Sequence, residues 1–306
     1  MDEKDWNLVL NVHLNGTYQC TAAAWPYFLA QKGGRILNTT SAAGLYGNFG
    51  QCNYSAAKLA IYGFTKTLAK EGERKGIFSN VIAPIAGSRM TETVMPAELV
   101  EALSPDYIAP FAVFLCSALC KENGSLFELG GGFIAKVRWE RSPGLLLNVE
   151  KHFNASAVLG NFNSVVDFTK SLAYPNSMLE TNWIELVEKS KLLPENRFDG
   201  SGIEMRGNVV LITGAGAGLG KAYALEFAKE GAIVIINDVN KVAAEKVVNE
   251  IKNRFGGVAH AVCHSVLESQ AIVDEVMNLV GRIDVLVNNA GILRDKSFAK
   301  MTEGEW

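Results

Sequence analysis

Apolar runs and helical spacings alternate along the last third of the chain. In residues 208–306, short continuous apolar runs are separated by stretches that repeat apolar residues every three and four positions. Continuous runs predict strands of a parallel sheet that is covered on both faces, and the other spacing predicts helices. We expect strands at 209–213, 233–237, 258–263 and 283–288. The pattern indicates an α/β fold with a doubly wound parallel sheet.

The first 145 residues show the same alternation, but as a back half of such a pattern. A long helix over 3–31 comes before the first strand. We then expect strands at 35–40, 79–83 and 126–129, and helices at 54–75 and 105–119.

Between these blocks, residues 146–207 have a different character. Two helical patches, at 155–168 and 181–192, are joined by polar turns, and residues 194–207 have the composition of a flexible linker. We assign this segment no chemistry. The sequence therefore predicts three blocks, at 1–145, 146–207 (a helical linker) and 208–306.

Composition and charge narrow the function classes. The 306 residues are 48% hydrophobic and 20% charged, with net charge −3, which suits a globular protein and lacks the basic field that nucleic acid requires. The five cysteines are odd in number and lack disulfide or metal spacing, so we expect reduced thiols in an intracellular compartment and no metal. We find no apolar run long enough to span a bilayer and no targeting signal.

A candidate catalytic group lies where the strand at 35–40 meets the following helix. Tyr54 and Lys58 are four apart, so their side chains share one helix face, and Ser41 ends the strand thirteen residues earlier. A phenol beside a cation in a half-buried cleft can remove a proton from an alcohol. The alternative is structural, because a Tyr-x-x-x-Lys spacing arises by chance on many amphipathic helices.

A glycine-rich turn joins the strand at 209–213 to the next helix. Glycines at 214, 216, 218 and 220 let the backbone approach a pyrophosphate, and the helix start supplies free N–H groups. Asp238 closes the next strand, where its carboxylate can accept hydrogen bonds from a ribose and repel a 2′-phosphate. The turn predicts a dinucleotide site that prefers NAD to NADP, and a structural turn is the alternative.

These motifs resemble the short-chain dehydrogenase/reductase family. The turn TGAGAGLG (213–220), the acid after the next strand, the segment NNAG (288–291) and the serine, tyrosine and lysine carry the resemblance. It implies that Ser41, Tyr54 and Lys58 are catalytic. It also implies cofactor contacts from Gly214, Gly218, Leu219, Gly220, Asp238, Ser265, Val266, Asn289, Ala290, Gly291, Tyr54, Lys58 and Pro84.

The chain departs from the family pattern at three of these positions. Ser265-Val266 stands where members usually carry Asp-Val, and Ile85 follows Pro84 where many have glycine. His13 occupies the place of an asparagine in a proposed proton relay. His13 either replaces that asparagine in catalysis or packs on a helix stripe.

The order of the motifs is inverted relative to the family, because the glycine turn follows the tyrosine. Met1–Trp6 (MDEKDW) resembles 301–306 (MTEGEW), so we expect one period of a tandem array or a circular permutant. The resemblance implies that residues 1–145 are the C-terminal, catalytic half of one dehydrogenase unit and that residues 208–306 are the N-terminal, dinucleotide-binding half of another. We expect these two blocks to combine into one doubly wound sheet, closed within a chain or between two chains.

Within the family, the chain resembles the tandem dehydrogenase region of the fungal peroxisomal multifunctional enzymes of type 2. The segments that carry it are 35–58, 83–96 (APIAGSRMTETVMP), 136–144 (KVRWERSPG), 209–232 and 288–301. The resemblance implies NAD-dependent oxidation of (3R)-3-hydroxyacyl-CoA in peroxisomes, by a homodimer or a pseudo-dimer with a second dehydrogenase unit. Two alternatives stay open: a fragment active only with its missing halves, and a dehydrogenase of another secondary alcohol.

Overall fold

A computed structural model of the chain describes residues 1–87, 98, 102–170, 172–198, 200 and 202–306. The chain divides into two compact units. The first comprises Met1–Glu140 and Arg294–Trp306, and the second comprises Arg141–Leu293. These units assign residues 141–207 and 294–306 differently from the three blocks expected from the sequence, whose boundaries stay a prediction.

The first unit carries a four-stranded sheet of order β1-β2-β3-β4, in which β4 alone is antiparallel to its neighbour. Its helices lie before β1 and in the connections between β1, β2 and β3. The elements are α1 (Glu3–Leu10), a π-helical segment (Asn11–Asn15), α2 (Gly16–Ala30), β1 (Gly34–Thr39), α3 (Ala42–Tyr46), α4 (Cys52–Gly72), β2 (Ile77–Pro84), α5 (Ala109–Cys116), β3 (Leu126–Gly130) and β4 (Phe133–Val137).

Helix α4 packs on this sheet through a buried stripe at helical spacing. Ile61, Thr65 and Leu68 are buried, and Ile61 belongs to a core cluster with Val81 of β2 and residues of β3. The polar member is also satisfied, because the Thr65 hydroxyl accepts a hydrogen bond from the Asn38 side chain (2.9 Å). This packing fixes α4 against the carboxyl ends of β1 and β2, where the candidate catalytic residues lie.

Strand β4 was not expected from the sequence. Gly131 and Gly132 have positive φ (56° and 86°) and form a two-residue turn that folds the chain back onto β3. Phe133, Ile134 and Lys136 in β4 are exposed, so the strand lacks the continuous burial that identifies the others.

The second unit carries a four-stranded sheet of order β7-β6-β5-β8, and all its strands are parallel. β5 is buried at every residue, as its apolar run predicts. The elements are α6 (Ala155–Val165), α7 (Trp183–Lys191), β5 (Val209–Thr213), α8 (Gly218–Lys229), β6 (Ile233–Asn237), α9 (Lys241–Phe255), β7 (Ala259–Val262), α10 (Ser269–Val280) and β8 (Val285–Val287).

The α/β class with parallel strands is confirmed, and the joining of the described residues into one sheet, within a chain or between two chains, stays a prediction. The described residues form two four-stranded sheets, and β1 and β8 each lie at the edge of one sheet. The alternation of strands and helices specifies what kind of neighbour a strand needs, but not which chain supplies that neighbour. The permuted chain order stays a prediction.

None of the helices in the described ranges combines the length and hydropathy needed to cross a membrane.

Candidate active site

Helix α4 brings the predicted tyrosine and lysine together in the first unit. Tyr54 lies in the first turn of the helix, and Lys58 follows one turn later on the same face. The Lys58 ammonium is 5.5 Å from the centre of the Tyr54 ring. Tyr54 is half-buried, so its ring contacts the protein while part of it faces solvent.

Lys58 is held by the end of strand β1. Its Nζ donates a hydrogen bond to the Thr39 carbonyl oxygen (3.0 Å), and its own carbonyl oxygen accepts one from the Thr40 hydroxyl (2.6 Å). Only 8% of the residue is exposed. Burial lowers the pKa of the Lys58 ammonium, because removal from water disfavours the charged form. The site therefore keeps a desolvated cation beside a phenol.

Ser41 begins the short helix α3, which packs against α4. Its Oγ accepts a hydrogen bond from the Ala43 backbone N–H (3.2 Å), which caps the helix. The two helices approach closely at Gly44, where a Cβ atom would lie 2.9 Å from Lys58 Cβ. A glycine is therefore required for α3 to hold Ser41 beside the helix that carries Tyr54.

His13 lies on the other side of Tyr54. It sits in the π-helical segment between α1 and α2, and its ring meets the Tyr54 ring edge-on with 5.2 Å between centres. Burial, followed by the positive charge of Lys58, lowers the pKa of His13, so its imidazole stays neutral near pH 7. π-Helical turns inside α-helices are frequent at functional sites.

The same helix contains a second tyrosine–lysine pair with the same spacing. The Lys66 ammonium is 5.7 Å from the centre of the Tyr62 ring. Tyr62, however, is only 5% exposed, contacts the Trp139 ring and has its pKa raised by burial. This pair is an example of the structural alternative for a Tyr-x-x-x-Lys spacing. It provides an internal comparison for Tyr54 and Lys58.

In the second unit, the glycine turn is too tight for side chains at two of its positions. Gly214 has φ +63°, and a Cβ there would lie 2.8 Å from the Ala290 backbone. At Gly220, a Cβ would lie 2.4 Å from the Gly214 carbonyl oxygen. The backbone after β5 thus stays bare and leads into the first turn of α8, where Gly218 and the exposed Leu219 also lie.

Thr213, Asn289 and Ala290 tie the glycine turn to the segment after β8. The Asn289 side chain donates to the carbonyl oxygens of Thr213 (2.9 Å) and Gly214 (3.1 Å). The Thr213 hydroxyl accepts the backbone N–H groups of Asn289 (3.0 Å) and Ala290 (3.1 Å). Thr213 was missed as a site residue, although it ends the strand directly before the turn.

Asp238 stands at the end of β6 beside the turn. Its Oδ2 accepts the Gly216 backbone N–H (2.9 Å), and its Oδ1 accepts the Asn240 N–H (2.9 Å). It faces a cleft of about 550 Å³. The cleft is lined by Gly214, Asn237, Asp238, Val239, His264, Ser265, Val266, Leu267, Asn289, Ala290, Gly291 and Ile292.

Ser265 and Val266, which differ from the residues usual in the family, line one edge of this cleft. Ser265 caps a short turn by a capping box with Glu268, while Val266 remains half exposed in the cleft. His264 was also missed as a cleft residue: its ring bonds Glu275 (2.7 Å), and its carbonyl oxygen accepts the Asn237 side chain (2.9 Å). A polar residue directly after a strand was the available signal.

The predicted site residues thus form two sets. Ser41, Tyr54, Lys58, His13 and Pro84 (at the end of β2) belong to the first unit, and the other predicted cofactor residues belong to the second. Residues 88–96 of the motif at 83–96 lie outside the described residues. Within the described ranges, no three His, Cys, Asp or Glu side chains are grouped as metal ligands.

Comparison with known families decides the assignment. A model of the short chain dehydrogenase family matches residues 1–102 and 208–306. The chain belongs to the short-chain dehydrogenase family. The two matched ranges cover both sets of site residues and leave residues 103–207 between them.

Individual relatives confirm the closer resemblance as well. The chain is 48% identical over 307 residues to the peroxisomal hydratase-dehydrogenase-epimerase of Neurospora crassa and 43% identical over 314 residues to that of Saccharomyces cerevisiae. In both cases all of this chain is covered, and it spans 34% of the relative. The full-length peroxisomal multifunctional enzyme type 2 of Drosophila melanogaster has a TM-score of 0.57 and 38% identity, over 62% of this chain and 35% of that chain.

Proposed function

We propose that this short-chain dehydrogenase supplies the residues for NAD-dependent oxidation of the 3-hydroxyl of a (3R)-3-hydroxyacyl-CoA to a ketone, in peroxisomal fatty-acid β-oxidation. The observation that carries the chemistry is the buried Lys58 ammonium beside the half-exposed Tyr54 phenol. The compartment and the dehydrogenase activity are supported by the names of the relatives, which are peroxisomal hydratase-dehydrogenase-epimerases. The acyl-CoA substrate is what the resemblance to the peroxisomal multifunctional enzymes implies.

The proton chemistry follows from three side chains. Tyr54 takes the hydroxyl proton as its phenolate, which the positive charge of Lys58 stabilises. The Ser41 hydroxyl orients the substrate oxygen and donates to it as the carbonyl forms. A bound oxidised nicotinamide would supply the acceptor for the hydride that leaves C3 of the substrate. The proton and the hydride together account for the two hydrogens lost from the alcohol.

His13 is proposed to pass the proton onward. Its ring lies against Tyr54, and burial together with the charge of Lys58 keeps its pKa low. A neutral imidazole near pH 7 can accept a proton and release it to solvent.

The glycine turn fits a dinucleotide. Side chains at Gly214 or Gly220 would overlap backbone atoms, which leaves a bare cradle in front of the α8 N-terminus. The Asp238 carboxylate lies in the adjoining cleft, where it can accept ribose hydroxyls and would repel a 2′-phosphate. We therefore propose that NAD, and not NADP, is the cofactor.

The test is NADH formation by the whole chain. Purified protein is incubated with NAD and either enantiomer of a 3-hydroxyacyl-CoA, and the NADH absorbance band is followed. We expect formation with the R enantiomer and little with the S enantiomer or with NADP. Activity with other secondary alcohols but not with the acyl-CoA would reject the substrate. The absence of activity with every alcohol would reject catalysis by this chain alone and favour a fragment that needs further halves.

A further inference from the structure

Strands β1 and β8 leave open edges on the two sheets. β8 pairs only with β5, and β1 pairs only with β2 among the described residues. Leu286 in β8 is 54% exposed, whereas its partner Leu211 in β5 is 2% exposed. A parallel, apolar strand that remains exposed at an edge is a template for pairing with another strand.

The resemblance of residues 1–6 to residues 301–306 points to β1 as the neighbour of β8. The Trp6 N–H donates to the Asp2 carbonyl (3.1 Å) and the Trp306 N–H to the Thr302 carbonyl (3.2 Å), so both segments make the first turn of a helix. The order in one repeat is therefore β8, a helix like α1 and α2, then β1. Parallel strands joined by one such crossover usually lie side by side in one sheet.

The segment that follows β8 also fits the helices that accompany β1. Phe298 is 8% exposed and meets the rings of Tyr18, Trp25 and Phe64 edge-on. The Trp306 ring stacks on Tyr18 with 4.1 Å between centres and an interplanar angle of 3°. These contacts lie within the first unit, on the surface of α2 and α4.

Two hydrogen bonds also hold this segment on the first unit. The Phe298 backbone N–H donates to Glu71 Oε2 of α4 (2.7 Å), and the Trp306 indole N–H donates to Asn15 (2.9 Å). Residues 291–297, which lead from β8 to Phe298, are exposed. Residues 294–306 therefore form a docking segment on an extended connection, and such a connection permits exchange between copies.

We propose that two copies of this chain join by reciprocal pairing of β8 of one copy with β1 of the other. The docking segment of each copy then binds α2 and α4 of its partner. Since each chain has one β1 edge and one β8 edge, two copies close the exchange. Each complete site takes its catalytic residues from one copy and its dinucleotide turn from the other; this last statement rests on the proposed function.

Complementation between two inactive variants tests this assembly. Full chains carrying Tyr54→Phe and Gly220→Ala are co-expressed with different affinity tags, and the doubly tagged species is purified. Tyr54→Phe alone should be inactive, and Gly220→Ala alone should be nearly inactive when NAD is kept too low to load its weakened turn. The mixed species should recover about half of the wild-type rate, because one of its two sites combines an intact tyrosine with an intact turn. Closure within each chain predicts no recovery.

A second measurement does not depend on activity. Size-exclusion chromatography with light scattering should give twice the 33.1 kDa mass of the chain. Leu286→Lys should lower the two-chain fraction, because the lysine would be buried on strand pairing, whereas Leu293→Lys, in the exposed connection, should not. A single-chain mass for the wild type, or equal effects of the two variants, would overturn the exchange. An active wild type with an inactive mixed species would also overturn the exchange and leave the proposed function intact. An inactive wild type with the two-chain mass, lowered by Leu286→Lys, would support the exchange and reject the proposed function.

Discussion

Replacing Lys58 with methionine removes the buried charge beside the proposed base while keeping a similar side-chain volume. The ammonium lies 5.5 Å from the centre of the Tyr54 ring. At that separation a unit charge contributes ~3 kcal/mol at an effective dielectric of about 20, and only ~0.8 kcal/mol in bulk water. Because Lys58 is almost wholly buried, the larger figure applies. Lys58→Met should therefore slow proton removal about 100-fold.

The assay is kcat for NADH formation at saturating NAD and substrate, with Lys66→Met as the matched control. Lys66 has the same spacing and a similar distance to its own tyrosine on the same helix, but that tyrosine is a core residue. We expect Lys66→Met to retain close to the wild-type rate. Equal losses in both variants would refute the reasoning, since a general effect of charge on α4 would then explain the result. A fully active Lys58→Met variant would also refute it.

Three further predictions concern the cofactor cleft and pH. Gly220→Ala should weaken NADH binding at least tenfold (about 1.4 kcal/mol), because the new Cβ overlaps backbone atoms. Binding is measured by fluorescence titration, and Gly63→Ala is the control because a Cβ at Gly63 would meet open space. Asp238→Asn should raise kcat/KM for NADP about tenfold by removing a like charge, and an unchanged NAD-to-NADP ratio would contradict this. The lowered pKa of His13 contributes stability that is complete above its ordinary value of 6.5 and is lost as pH falls through the folded value. We therefore compare the free energy of unfolding in urea at about pH 7.5 and at about pH 5.5. Between these two pH values it should fall less for His13→Gln than for the wild type, by up to ~1.4 kcal/mol per pH unit. Equal losses in the two proteins would contradict the lowered pKa of His13.

The sequence predicted the elements whose burial repeats regularly. β5 is a continuous apolar run and is buried throughout, and Ile61, Thr65 and Leu68 on α4 are buried at the three- and four-residue spacing of a helix. The contact between Tyr54 and Lys58 also follows from helical geometry alone. In each case a local period determines which side chains meet.

The surroundings of a side chain were harder to predict from the sequence than its contact with a neighbour on the same helix. Tyr54 and Tyr62 have the same lysine spacing on one helix, yet only the second is a core residue against Trp139. Trp139 lies just after β4, a strand that has too little burial to be recognised from its sequence. Distant packing of this kind separates a reactive phenol from a structural one, and no local pattern contains it.

The arrangement of the sheets depended on information that strand patterns lack. The runs that form β1 and β8 were recognised, but each lies at the edge of a separate four-stranded sheet. Likewise, Thr213 ties the glycine turn to Asn289 through side-chain and backbone bonds that join residues 76 positions apart. Such long-range partners are chosen by tertiary structure.

The central claim, that Tyr54 is the base of an alcohol dehydrogenase, is tested most directly by measuring NADH formation by Tyr54→Phe beside Tyr62→Phe. NADH binding is measured on both variants to show that the cofactor cleft is intact. We predict a rate at least ~100-fold below wild type for Tyr54→Phe, with unchanged NADH binding, and nearly full activity for Tyr62→Phe. A Tyr54→Phe variant that forms NADH at the wild-type rate would contradict the account.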